Sequence, residues 1–114
     1  MEEEILRGGP IVCSVWSLPE AFDLYRGGVI HHPGAKAIDH HVVLTGFGVE
    51  EGTGRKYWVG RNSWGTAWGE LGWFRAERGR DTLGLESAPC YWATPGPEDV
   101  LEVRHRMRAH GSSF

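Results

Sequence analysis

Residues 38–48 read IDHHVVLTGFG. The run is mostly apolar and β-branched at its centre, which predicts an extended strand over residues 40–49. Side chains alternate across a strand, so His40, Val42 and Leu44 share one face, and His41, Val43 and Thr45 the other. Only one of two adjacent imidazoles can then share a cleft with residues on a given face. Residues 51–55 are turn material and residues 56–61 form a second strand, so the two strands are expected to pair as a hairpin.

Outward from that hairpin, residues 1–7 read as one or two helical turns. Three acids follow Met1, where the positive end of the helix dipole lies, and Gly8-Gly9-Pro10 ends the run. Residues 11–16 are a strand. Residues 19–25 are a short helix with Pro near its first turn, stopped by Gly27-Gly28. Residues 29–36 are loop, with a turn at Pro33-Gly34. Residues 65–72 are too rich in Gly and Trp for a helix, and residues 72–77 and 83–86 are further short strands. The expected fold class is α+β, mainly antiparallel β: a small barrel-like sheet with little helix. After Pro95-Gly96-Pro97 the character changes. Acids precede arginines over residues 98–110, which suits a surface helix or a frayed tail. The chain thus divides into a domain, 1–95, and a tail, 96–114.

Composition narrows the function classes. The chain has 114 residues and a net charge of −3, one small domain with no electrostatic case for a nucleic-acid partner. No apolar run approaches the roughly 18 residues that a membrane helix needs. The start, MEEEILRGG, is acidic and lacks an apolar core, so no secretory signal is expected there. No zinc-type Cys/His spacing and no phosphate-binding glycine loop is present. No cofactor is expected. His31-His32 falls in a loop as two solvated imidazoles, and a metal site built from it with His40-His41 has no acid or thiol ligand at a suitable spacing.

The second informative stretch is RNSWGTAWGELGW, residues 61–73. Asn62 is the only Asn in the chain, and Gln is absent. A carboxamide oxygen can accept an imidazole N–H and hold the ring in one tautomer. A neighbouring indole shields such a bond from water. In the hairpin, His40 and Asn62 come near one end. From spacing alone, a catalytic His–Asn pair and a structural or surface histidine both remain open.

The residues then resemble a family. IDHHVVLTGFG looks like the strand that carries the catalytic histidine of papain-like cysteine proteases. YWVGRNSWGTAWGELGWFRA looks like the segment with the orienting Asn and its covering Trp. GGPIVCSV and AFDLYRGGVI resemble the preceding strand and helix. Counting back from Gly46-Phe47-Gly48 sets His40, not His41, on the base. The resemblance runs to about Pro95 and puts Asn62 in the orienting role, with Trp64 in the supporting one.

A finer resemblance is to the cathepsin X/Z subgroup, which also has a Cys in GPI-x-C and a Cys after the last strand. By that analogy Cys13 and Cys90 form a disulfide. It closes a loop of nearly eighty residues, worth about 4 kcal/mol in the chain-entropy model. Two buried free thiols are the alternative. The subgroup also implies carboxypeptidase activity. In the same register Ser14, Ile38, Asp39, His41 and Ala88 match positions lining a substrate-binding pocket. His41 departs from the small or apolar residue usual there. It either narrows the pocket or makes its occupancy pH-sensitive, or else is an exposed ring at the rim.

The family fold has two halves across a cleft, and this chain resembles only the right-hand, sheet-bearing one. The left-hand half carries the nucleophilic Cys and an oxyanion Gln. Neither cysteine here has the family's Cys-Gly-Ser-Cys-Trp context. Met1 falls where the family has a helix end inside the mature enzyme. The expectation is therefore a fragment of a cysteine-type peptidase, inactive alone, whose partners are a peptide or protein substrate and a Cys-bearing half. Its exposed apolar interface face would make it poorly soluble or self-associating. Family resemblance implies a lysosomal or extracellular location. The other reading is a non-catalytic peptide-binding or interaction module derived from the same half.

Overall fold

The computed structural model describes residues 1–93. Two short helices, α1 (Glu2–Gly8) and α2 (Glu20–Asp23), accompany six strands: β1 (Ile11–Val15), β2 (Val29–Ile30), β3 (His40–Val49), β4 (Lys56–Arg61), β5 (Trp73–Glu77) and β6 (Cys90–Tyr91). The strands form one sheet in the order β2-β5-β4-β3-β1-β6. Every pairing is antiparallel except β2 with β5. The sheet is open, with β2 and β6 at its edges, so it does not close into a barrel. The tail, 96–114, lies outside the described residues.

The alternation of β3 places Val42 and Leu44 in the core at 2% and 0% exposure, whereas His41 faces solvent. Against β4 the register runs Val43↔Arg61 and Leu44↔Gly60, then shifts between Leu44 and Gly46. The bulge at Thr45 turns the alternation over, so odd-numbered Phe47 now faces buried Trp58. Gly60 is required by its neighbour: a Cβ there would lie 2.2 Å from the Phe74 ring. Phe74 is fully buried opposite it, and the ring fills the space left by the missing side chain.

Four segments depart from the sequence reading. Residues 83–86 alternate like a strand and bury Leu83 and Leu85 completely, yet they are turns. Asp81 and Leu83 adopt φ 50° and 54°, and Gly84 φ 78°, which ends extension. The Asp81 carboxylate instead accepts the Glu86 and Ser87 N–H groups. Residues 29–36 are not all loop, because Val29 and Ile30 pair with Arg75 and Ala76. The helix expected over 19–25 is only Glu20–Asp23, with Pro19 at its N-cap. Strand β6 was not foreseen. It pairs Cys90 with Cys13 of β1, and the two sulfurs are bonded across 77 residues of chain.

Candidate active site

His40 opens β3, and Asn62 follows β4 directly. The ladder sums Val43↔Arg61 and Leu44↔Gly60 put residue 62 opposite residue 42, one same-face step from His40. His40 Nε2 lies 2.7 Å from Asn62 Oδ1. That oxygen also accepts the Ser63 N–H at 2.8 Å, which fixes the carboxamide orientation. The atom facing the imidazole is thus an acceptor, so Nε2 carries the hydrogen and the neutral ring keeps its lone pair on Nδ1. The Asn62 N–H donates to Gly72 O at 3.0 Å, anchoring the residue from behind. Asn62 is 2% exposed, and its Nδ2 is buried without a hydrogen-bond partner among the described residues.

An aromatic assembly surrounds the pair. The Trp64 indole stacks on the His40 ring with centroids 5.0 Å apart and planes 28° apart. Phe22 from α2 presents an edge to Trp64 at 5.2 Å and to His40 at 6.1 Å. Trp68 packs on Phe22 at 4.8 Å, and its indole N–H donates to Phe22 O at 3.0 Å. The stretch 65–72 thus folds back onto α2 through Trp68. Phe22 and Trp68 are support residues that sequence reasoning did not single out. The signal was present in the apolar position of α2 and in the second Trp of the Asn segment.

The five residues matched to a substrate wall lie on β1, at the entrance to β3 and in the turn before β6. Ser14 pairs with His41 across β1 and β3, and Ser14 Oγ shares a hydrogen bond with His41 Nδ1 at 3.0 Å. Both lie on the face away from His40. Asp39 turns its carboxylate to Ser17. Ile38 is half exposed and sits over Gly84. Ala88 lines a cavity of about 190 Å³ with Ile11, Cys90 and Trp92.

His31 and His32 are not freely solvated. His31 Nδ1 lies 2.6 Å from a Glu77 carboxylate oxygen, and Arg55 Nη1 lies 3.0 Å from His31 Nε2. His32 Nδ1 is buried, with the ring edge-on to Trp16 at 5.6 Å. Among the described residues no group of three or more His, Cys, Asp or Glu side chains is arranged to hold a metal ion.

A family model described as papain family cysteine protease matches residues 1–93. Cathepsin Z of Onchocerca volvulus is 40% identical over 102 residues, covering 83% of this chain and 33% of that protein. Dipeptidyl aminopeptidase 1 of Plasmodium falciparum is 38% identical over 113 residues, covering 80% of this chain and 16% of its own length. Cathepsins C, L and F are also among the relatives. Among solved structures, a digestive procathepsin L 3 from the larval midgut of Tenebrio molitor superposes with a TM-score of 0.70 and 26% identity, covering 81% of this chain and 30% of that one. The bromelain protease of Ananas comosus superposes with a TM-score of 0.65 and 32% identity, covering 72% and 39%. The chain spans about a third or less of the length of the first curated relatives it matches. With the family model spanning 1–93, this chain belongs to the papain-family cysteine proteases.

Proposed function

We propose that this chain supplies the general base and its orienting amide to a cysteine peptidase whose thiol resides on a separate Cys-bearing half. The observation that carries the reading is the 2.7 Å His40–Asn62 bond beneath the Trp64 indole. It leaves the Nδ1 lone pair of His40 as the acceptor for a thiol proton. Transfer of that proton gives a thiolate and an imidazolium, and the thiolate attacks the peptide carbonyl carbon. The imidazolium then returns the proton to the leaving amine nitrogen. A water delivers its proton to Nδ1 as its oxygen attacks the thioester, and the thiol is regenerated as the acid leaves.

Asn62 is a neutral acceptor, so it fixes the ring plane without trapping the proton that must move. The indole face of Trp64 favours the charged ring through its quadrupole and screens the His40–Asn62 bond from water. The chain has two cysteines, both in the disulfide, so it carries no thiol. Alone it therefore holds a base with nothing to activate. Large apolar side chains on its surface include Val12, Leu18, Ile38, Tyr91 and Trp92, at 43%, 72%, 45%, 63% and 63% exposure. Such a surface suits contact with another half and self-association without one.

The substrate would be a peptide or protein, with Ser14, Ile38, Asp39, His41 and Ala88 as candidate wall residues. Carboxypeptidase action is the finer form of the same proposal. The disulfide suits a compartment reached through secretion, lysosomal or extracellular, and among the described residues no helix is long and apolar enough to cross a membrane. The absence of a thiol also favours a second reading, a peptide-binding module without turnover. Mixing the purified chain with a Cys-bearing half and following a fluorogenic peptide separates the two. The expected result is no cleavage by either part alone and His40-dependent cleavage by the mixture. His40-dependent turnover by the chain alone would overturn the proposal, and a mixture that binds peptide without cleaving it would establish the module.

A further inference from the structure

Asp39 directly precedes His40, but its side chain belongs to the other face of the strand. One carboxylate oxygen of Asp39 accepts both donors of Ser17, the backbone N–H at 2.8 Å and the hydroxyl at 2.7 Å. The Asp39 N–H in turn donates to Val15 O at 3.1 Å. A single residue is thus tied at both ends to the turn that leaves β1. That turn runs through Pro19 into α2, whose Phe22 ring packs on the His40 ring. The connections close a circuit from the His40 backbone through Asp39, Ser17 and α2 back to the imidazole.

We propose that Ser17 is a positioning residue for His40, its hydroxyl latching Asp39 so that the opening of β3 is held against the turn leading into α2. The backbone donor at this position is available to any residue except proline, whereas the second donor needs Ser or Thr. The latch takes its functional meaning from the proposed base role of His40, but its geometry stands without it.

The charge state of Asp39 agrees with the geometry. Its carboxyl is held below the ordinary range, first by the Ser17 hydroxyl and then by the Ser17 N–H, with the nearby charge of His40 acting in the same direction. Desolvation opposes these, and His40 is the charged or titratable neighbour that acts on it. A depressed carboxyl pKa means that the latch is complete above the ordinary Asp value and is lost as the pH falls through the lowered one. Without the hydroxyl the carboxyl protonates at a higher pH, so the latch opens earlier on acidification.

The experiment is an acid titration of the intact chain by NMR, following the Asp39 carboxyl carbon, the Ser17 amide and the His40 ring nitrogens. In Ser17→Ala the Asp39 midpoint moves up, and the His40 ring resonances inflect at that same raised pH. Ser17→Thr returns both to the wild-type position. A loss of global stability alone would move amides throughout the sheet and would not track the Asp39 midpoint. The latch is overturned if the Asp39 midpoint stays in place, or if it moves while the His40 ring signals do not follow. Should Ser17→Ala unfold in acid, Asp39→Asn keeps an acceptor that does not titrate. The acid inflection of His40 should then vanish, and its persistence would equally overturn the latch. If the mixed halves fail to cleave peptide while these titrations behave as expected, the base role falls and the latch stands.

Discussion

Two histidines of this chain, His31 and His40, each meet a side-chain carboxylate or carbonyl oxygen, at 2.6 Å and 2.7 Å, in opposite settings. His31, just beyond β2 at the sheet edge, has both ring nitrogens engaged, one by the Glu77 carboxylate and the other by Arg55. It is 39% exposed and lies among charges. His40, in the interior of the strand order, has one nitrogen held by a neutral, buried amide and an indole stacked on its face. The short contact distance is common to both and does not distinguish them. The difference lies in what remains: among the described residues only one His40 nitrogen is engaged, whereas both His31 nitrogens are. A neutral orienting group also leaves the imidazole proton mobile, where a carboxylate pulls on it.

The largest way to break the comparison is to remove the support beneath His40. Phe22 is fully buried and touches Trp64, Trp68, Phe74 and His40. Phe22→Ala is expected to destabilise the fold by about 3–5 kcal/mol, measured by urea unfolding. The Trp64 stack should loosen while the His31 ring signals persist in the remaining folded fraction. A loss under about 1 kcal/mol would mean that the aromatic assembly does not hold the site.

Asn62→Ala is the sharper and smaller test. It removes the acceptor of His40 and should lower stability by about 1–3 kcal/mol. The specific outcome is spectroscopic. Nitrogen-15 shifts of the neutral His40 ring should change from a single tautomer to a mixture, because nothing then requires the hydrogen on Nε2. If the ring keeps one tautomer, Asn62 is not what orients it.

How much of this contrast was legible in the sequence depended on the length of the segment involved. The β3–β4 hairpin and the His40–Asn62 approach followed from alternation over a ten-residue strand and from a lone amide at the end of its neighbour. Strand β6 was not legible, because two residues show no periodicity and are ordered by the Cys13 bridge. Residues 83–86 carried the alternation of a strand, but left-handed backbone at Asp81 and Leu83 overrode it. The His31–Glu77 pair was hidden for a third reason. It arises from a parallel register, Val29↔Arg75 and Ile30↔Ala76, between segments that local sequence gives no cause to place together. The five substrate-wall residues came from family register, which neither periodicity nor spacing supplies.

The smallest expected effect belongs to His31. The Glu77 carboxyl is held below its ordinary range, first by the hydrogen bond from His31 and also by the charges of His31, Arg80 and Arg55. A depressed carboxyl contributes stability above the ordinary Glu pKa and loses it as the pH falls through the lowered value. Glu77→Gln retains an acceptor for His31 and removes only the charge. At this solvated edge it should lower stability at neutral pH by under about 1 kcal/mol. The deficit should shrink in high salt and disappear in acid, where the wild-type carboxyl is itself protonated. Thermal unfolding at three pH values and two ionic strengths reads all three trends, with the His40 tautomer as the internal control. A deficit larger than that of Asn62→Ala, or any change at His40, would show that the edge pair carries more of the fold than its exposure implies. Burial and a vacant nitrogen would then no longer separate the two histidines.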